Sequence, residues 1–467
     1  MVFSSAIFLF FFLPPVFLLS RLPLGKRWQN LLLAAASLVF YAFGNLQYVP
    51  LFLASVLLNY LTGLLLGGRF PHSRAVLTVS VLLNLGILCV FKYTDFLLQN
   101  LSLLPGVSLK PTGLILPIGI SFFTFQGMSY VIDGYRDPKS CSRSFLDVLL
   151  YISFFPQLIA GPIVRWGDIS AQIRERSCSP EKTWAGIRRF IVGLSKKLLL
   201  ADAAAVVADA VFASGTGDFR AAWLGGICYT LQIYFDFSGY SDMAIGMGKM
   251  FGFSIRENFL FPYTAASIRE FWRKWHISLS TWFREYLYFP LGGSRRGRAR
   301  AAMNRLLVFL CTGLWHGANW TFVLWGLGHG LLSSLEGSGV IPVQRLQKSG
   351  IGRLLCRVYT LLAVCLLFVM FRADTVGDGF RMIGAMFSFR FAPGASAMLA
   401  GLLDPACVLT MLLALLLAGK PGIRVHAYLT EESARPALPA LCCLLLLLLS
   451  VMSLAQSGFH PFIYFQF

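Results

Sequence analysis

Two histidines forty positions apart, His276 and His316, each follow a tryptophan within otherwise apolar sequence. The first stands in Arg269-Glu-Phe-Trp-Arg-Lys-Trp-His-Ile-Ser-Leu-Ser, the second in Leu314-Trp-His-Gly-Ala-Asn-Trp. Imidazole is the one side chain that takes and returns a proton near neutral pH. A titratable group at bilayer depth costs several kcal/mol when charged, so a membrane chain rarely keeps one without a use. The chemistry this suggests is general-base help to a hydroxyl nucleophile.

Around His316 the sequence offers partners. Gly317 and Ala318 leave room beside the ring for another backbone or a substrate. Asn319, three residues on, would share a helical face with His316, where its amide would orient the ring or bind an oxyanion. The plain alternative is a buried histidine bonded to a backbone carbonyl. Cys311 lies five residues before His316, about 140° around a helix, so no cysteine–histidine dyad is suggested.

Other polar residues in apolar sequence are candidates for lining the same site. The run Tyr234-Phe-Asp236-Phe-Ser238-Gly-Tyr240-Ser-Asp242 holds two carboxylates and three hydroxyls. Asp236 and Ser238 differ by about 200° on a helix, so either the segment unwinds near Gly239 or the two serve different faces. Buried carboxylates need partners, and Arg or Lys of neighbouring helices are the obvious ones. A structural polar knot and a substrate-binding role for Asp236, Ser238 and Tyr240 stand as equal readings. Gln126, at mid-span, bonds helix to helix or meets a polar substrate, the first slightly favoured. Arg165 is a further candidate for substrate binding. His72, beside Pro71, reads as a solvated histidine; His329, His426 and His460 lack polar neighbours of the same density, and His329 is the least dismissible. The ten cysteines are scattered, without a CxxC pair or a His/Cys cluster, and read as small buried hydrophobes, not as metal ligands or disulfides.

These residues have to be held by membrane helices. Charged residues make up 13% of the chain, against about 25% in a soluble domain, and hydrophobic residues 57%, with mean hydropathy +0.68. At about 20 residues per span, 467 residues allow about ten to thirteen crossings in a single all-α polytopic unit over 1–467. The opening Met1–Phe8 has no basic leader or cleavage site and reads as a retained first span. The net charge of +19 sits in short loops between apolar runs, a positive-inside pattern that argues against nucleic acid as a partner. Basic loops after the first, third and fifth runs (Arg21, Lys26, Arg27; Arg69, Arg74; Arg136, Lys139, Arg143) are placed in the cytoplasm, with the N-terminus outside.

Two segments do not fit simple crossing. The run 145–164 is followed by eight basic residues where the alternation requires an outside loop, and Pro156, Gly161 and Pro162 break it. It is expected to be re-entrant, its freed backbone groups satisfied by protein or water. Residues 268–288 are too charged to cross. Stepped at 100° per residue, Arg269, Arg273, Lys274 and Arg284 gather opposite Phe271, Trp272, Trp275, Leu279, Trp282 and Phe283. That predicts one amphipathic helix lying in the interface, aromatics toward the acyl region and His276 on the border between the faces. The following Arg295–Arg300 stretch places it on the cytoplasmic side.

Six co-linear stretches then carry a resemblance: Phe125–Asp133, Tyr151–Arg165, Tyr234–Gly246, Phe271–Phe283, Tyr288–Gly293 and Leu314–Trp325. With them, essentially the whole chain resembles the membrane-bound O-acyltransferase family, and more narrowly its bacterial branch of alginate O-acetylation and teichoic-acid D-alanyl transfer. The resemblance implies a ring of tilted helices around a thinned centre, with a funnel from outside and a narrow path from the cytoplasm. It implies that His316 is catalytic and that His276 is the second functional histidine. It also implies a bacterial cell membrane, no bound cofactor, an acyl thioester donor (acetyl-CoA or an acyl carrier protein), an extracytoplasmic acetyltransferase partner and a polysaccharide acceptor. The basic loops would also steer such an anionic donor, although topology alone explains the same charges. Two other functions remain open: transport of a polysaccharide or lipid-linked sugar, and acylation of a protein, lipid or teichoic acid.

Overall fold

The computed structural model describes residues 1–23, 25–68, 71–431, 437–456 and 462, so His460 and Arg69 lie outside the described residues. The chain folds into helices and turns, with no strand among the described residues. Four helical stretches are long and apolar enough to cross a membrane: Lys26–Gly67, Ser73–Leu101, Gly350–Arg372 and Ala437–Gln456. The pair Ala395–Leu402 and Pro405–Leu417, bent by 78°, makes a fifth if it forms one span. Leu82, Leu354, Leu409 and Leu448 on these stretches are exposed, as lipid-facing side chains would be. The chain is a multi-pass membrane protein. Its other apolar runs fold as shorter, broken or polar-bearing helices.

Two compact units divide the chain, residues 1–190 with 243–256 and residues 191–242 with 257–467. The first begins with α1 (Leu13–Ser20), α2 (Lys26–Asn45), α3 (Val49–Gly67), α4 (Ser73–Leu101) and α5 (Ile120–Arg136). Helices α3 and α4 are joined by polar bonds at depth. Asn59 and Asn84 exchange amide hydrogen bonds at 3.1 Å each way, and Thr62 donates to Ser80 at 3.2 Å. Such bonds replace the hydrophobic drive that lipid removes. On the other flank of α3, Gly127 of α5 leaves space that a Cβ would take within 2.5 Å of Asn59 Nδ2.

The run 145–164 is broken, as its prolines and glycine predict. It forms α6 (Phe145–Ser153), α7 (Phe155–Leu158) and an extended stretch leading to α8 (Trp166–Arg174). Nine residues of helix rise only about 14 Å, half a bilayer core. The freed backbone groups find partners inside the protein: Phe155 N–H donates to Ser37 Oγ at 3.1 Å, and the Tyr151 hydroxyl donates to Val164 O at 3.0 Å.

Helix α9 (Pro180–Ser195) runs from the first unit into the second and passes through a π-helical stretch, Lys196–Ala201, into α10 (Asp202–Ser214); α11 (Phe219–Met250) follows, with residues 243–250 in the first unit. Asp218 caps α11, accepting from the backbone N–H groups of Arg220 and Ala221. The Arg220 guanidinium and these N–H groups hold its carboxyl low, at about 2. Next come α12 (Ile268–Lys274), α13 (Ile277–Phe283), α14 (Arg298–His316), α15 (Trp320–Ser338), α16 (Val343–Leu346) and α17 (Gly350–Arg372). The remainder is α18 (Val376–Ser388), α19 (Ala395–Leu402), α20 (Pro405–Leu417), α21 (Lys420–Thr430) and α22 (Ala437–Gln456). Glycines let α14 and α15 close on each other. A Cβ on Gly313 would strike the Phe322 carbonyl oxygen, and one on Gly326 would strike that of Phe309.

The expected single amphipathic helix over 268–288 is instead two helices and a π-helical turn, broken at His276. The residue sits in the left-handed region, φ 43° and ψ 53°. A side chain rarely adopts that conformation unless its surroundings impose it. Here Leu260 N–H donates to Lys274 O at 2.9 Å and Ile277 N–H to Asn258 O at 3.0 Å, so a passing strip of chain grips the break on both sides. The aromatic face also differs from expectation: Phe271, Trp272, Trp275, Trp282 and Phe283 are buried in protein, not set toward acyl chains. Arg273 and Arg284 stay exposed.

The start of α12 is anchored by three groups. Ser267 Oγ accepts from Glu270 N–H, Glu270 Oε2 from Ala266 N–H, and Glu336 of α15 accepts from Ile268 N–H at 2.7 Å and Arg269 N–H at 3.0 Å. Replacing Glu336 with Ala strands two inner N–H groups, at about 1–3 kcal/mol each. Glu336→Ala is therefore expected to lower the thermal midpoint of detergent-solubilised protein by several degrees. An unchanged midpoint would show that α12 is held in place without this carboxylate.

Candidate active site

The break in the 268–288 segment makes His276 the residue that opens α13, and α14 ends on His316. The two rings meet, with centroids 6.4 Å apart and planes at 64°. Sequence placed both as candidates forty residues apart; the fold brings them together in the second unit. His276 is fully buried and His316 is 4% exposed. Aromatic rings form the walls: Phe237 of α11 lies 4.6 Å from His276, Trp325 5.0 Å and Phe371 5.3 Å from His316. Burial pushes the His276 imidazole down, to about 3, so that ring is neutral at physiological pH.

Asn258 is a neighbour of the pair that the sequence did not signal. It is fully buried and reaches His276 from the loop before α12. Its Oδ1 accepts from the backbone N–H and the hydroxyl of Ser278, at 3.0 and 2.9 Å, and lies 3.4 Å from His276 Nδ1. Its Nδ2 donates to Ser241 Oγ of α11 at 3.1 Å. Position 258 is eighteen residues before the histidine, with no periodicity linking them, so only the three-dimensional fold makes this contact.

Two expectations around His316 are corrected. Asn319 does not share its helical face. The helix stops at His316, Gly317 is extended, and Asn319 caps α15 instead, its Oδ1 accepting from Thr321 N–H at 3.1 Å and its Nδ2 donating to Asp374 O at 2.9 Å. Both halves of the amide are used in building the turn, which leaves them poor candidates for an oxyanion. Nor does Gly317 leave space for a substrate, because the Phe322 ring fills the place a Cβ would take.

Helix α11 stays continuous through Gly239, so Asp236 and Ser238 serve different faces. Asp236 belongs to a buried charge knot. Lys197 Nζ lies 2.6 Å from Asp202 and 3.1 Å from Asp236, while Lys196 Nζ lies 2.6 Å from Asp242. The cations come from the neighbouring π-helical stretch, as buried carboxylates require. His426 has more polar company than its sequence suggests, with Nδ1 3.9 Å from Asp242. Ser238 Oγ has no hydrogen-bond partner among the described residues, and Tyr240 stacks on Phe462 at 4.5 Å.

Gln126 and Arg165 belong to the first unit. The Gln126 amide bonds no other helix: neither of its side-chain atoms has a partner among the described residues. Arg165 makes two bonds to Asp168, at 3.0 and 3.1 Å. His72 is exposed, as expected. His329 is fully buried between aromatic rings, 5.2 Å from both Trp272 and Trp325.

A family model for the membrane-bound O-acyltransferases matches residues 106–373, which include both histidines. Relatives align well beyond it. The probable alginate O-acetylase of Pseudomonas putida is 40% identical over the whole of both chains. The chain belongs to the membrane-bound O-acyltransferase family. It is therefore an O-acyltransferase, a point at which expectation and comparison agree. The peptidoglycan O-acetyltransferase of Helicobacter pylori is 37% identical over 83% of this chain and 80% of its own, and the teichoic acid D-alanyltransferase of Bacillus subtilis 28% over 70% and 86%. In this O-acyltransferase, the histidine pair and Asn258 all lie within the matched residues.

Proposed function

We propose that this O-acyltransferase takes an acetyl group from a cytoplasmic thioester and delivers it to a hydroxyl of an extracytoplasmic polysaccharide, alginate or a similar polymer. Delivery is direct or passes through an extracytoplasmic acetyltransferase partner. The observation that carries this reading is the meeting of His276 and His316 at 6.4 Å. The relatives named for O-acetylation of alginate and peptidoglycan support the acetyl group and the glycan class. The setting is the bacterial inner membrane, basic loops inside and N-terminus outside.

The chemistry follows from the pair. The His316 imidazole takes the proton of the acceptor hydroxyl as the alkoxide oxygen attacks the thioester carbonyl. The C–S bond breaks, the ester forms, and the proton passes to the leaving thiolate. No resident cofactor is needed, since the thioester is a substrate.

Two cavities suit the two substrates. One, of about 220 Å³, has Arg269, Arg284 and Arg305 among its lining, over Trp272, Phe309 and Thr312. Thr312 is one helical turn before His316, and Trp272 is on α12, the helix that ends just before His276, so this cavity approaches the pair. An anionic donor with an apolar arm fits such a lining. The arm must be long and thin, because the eighteen steps from Arg298 to His316 rise about 27 Å. The other, of about 570 Å³, is lined by Arg372, Asp374, Asp378, Arg381 and Thr216. Its lining includes Arg372, the residue after Phe371, whose ring packs on His316, and its polar wall suits a hydroxylated acceptor.

Proteoliposomes with labelled acetyl thioester on one side and acceptor polymer on the other test the reading. Label should reach the polymer only when donor is offered at the Arg295–Arg300 face. Movement of polymer with no donor present would favour a transporter instead.

A further inference from the structure

We propose that Asn258 is a positioning residue that fixes the tautomer of His276, holding the proton on Nδ1 and leaving Nε2 as the basic nitrogen. Hydrogen positions follow from the partners' roles. Ser278 N–H is a backbone donor and bonds the Asn258 side chain at 3.0 Å, so the atom it meets is the amide oxygen. The amide nitrogen, on the other side, donates to Ser241 at 3.1 Å. The backbone donor thereby settles the amide orientation, the Ser241 hydroxyl being able to accept at the other end, and places the acceptor toward His276 Nδ1 at 3.4 Å.

The second neighbour of Nδ1 agrees. Ser278 Oγ lies 3.5 Å from it and spends its own proton on Asn258 Oδ1 at 2.9 Å, so it faces the imidazole with lone pairs. Two acceptors around one ring nitrogen require that nitrogen to carry hydrogen. In a neutral imidazole the other nitrogen is then bare. The same residue also holds the backbone, its carbonyl accepting from Ile277 N–H at 3.0 Å beside the left-handed His276. Asn258 thus sets the place of the ring through its main chain and the location of the proton through its side chain. Ser241 links this arrangement to α11, which also supplies Phe237 against the ring at 4.6 Å.

The role of the tautomer rests on the acyl-transfer reading; the tautomer itself does not, and the two are measured separately. Nitrogen NMR of full-length protein labelled at histidine, with His276→Gln identifying the signal, reads which nitrogen bears the proton. Wild-type protein should show His276 protonated on Nδ1 and bare on Nε2. Asn258→Leu should lose that preference, while Asn258→Asp, which keeps the acceptor, should leave Nδ1 protonated. In acetyl transfer from labelled acetyl-CoA, Asn258→Leu should lower kcat by about 10–10²-fold with KM little changed, and Asn258→Asp should recover most of it. A wild-type signal with bare Nδ1 would overturn the proposal, as would equal loss in the Leu and Asp variants. Protonated Nδ1 in a protein that transfers no acyl group would sink the acyl-transfer reading and leave the tautomer assignment standing.

Discussion

His316→Ala is expected to fold and insert normally yet lose acyl transfer by about 10²–10⁴-fold, the usual worth of a positioned general base. The side chain ends α14 and is 4% exposed among Trp315, Trp325 and Phe371, so its removal leaves a cavity between these rings. A cavity of that size lowers stability moderately and does not unfold a helical membrane protein with this much other packing. The loss should fall on kcat, because a proton acceptor is used only as the hydroxyl attacks. His316→Gln fills the space without supplying a base and should be as inactive. Thermal midpoints lowered at most moderately in the variants, equal donor affinity for all three proteins, and turnover only in the wild type are the expected set.

Lys197→Met should act in the opposite way, on stability before chemistry. Its side chain is 5% exposed and serves Asp202 at 2.6 Å and Asp236 at 3.1 Å. Methionine keeps the bulk but withdraws the cation both carboxylates share, and breaking a buried pair from one side costs about 3–5 kcal/mol. Against a total of about 5–15 kcal/mol this is a large fraction. A sharp fall in yield and thermal midpoint is expected, partly restored by adding Asp236→Asn. The restored double variant should keep most of its activity per folded molecule, because Asp236 belongs to the knot. A stable Lys197→Met protein with lost activity would instead move this charge cluster into the reaction.

Much of this arrangement was legible in residue types. The Trp–His pairs marked two rings that the fold brings to 6.4 Å, and Pro156, Gly161 and Pro162 marked a run that the structure breaks at Phe154. The need of Asp236 for a cation pointed correctly to a neighbouring helix. What escaped was whatever depended on distant backbone. The apolar rhythm of 268–288 passes through His276 without a fault, and only the bonds from Asn258 and Leu260 impose the break there. Asn319 differs for another reason: a shared face needs one helix running through both residues, and α14 stops at His316. A signal was present, since asparagine before an apolar run is a helix start.

Access gives these residues their remaining constraint. His316 lies within an aromatic wall, with the Phe371 ring on it at 5.3 Å. At 4% exposure, the ring is reached only when neighbouring side chains move by a few ångström.

The most direct test is the rate of acetyl transfer from labelled thioester for wild type, His276→Ala, His316→Ala and the double variant, each shown folded. Two rings acting as one unit should make the double variant no slower than the slower single one. Full transfer by His316→Ala, or losses that multiply as for independent sites, would contradict it.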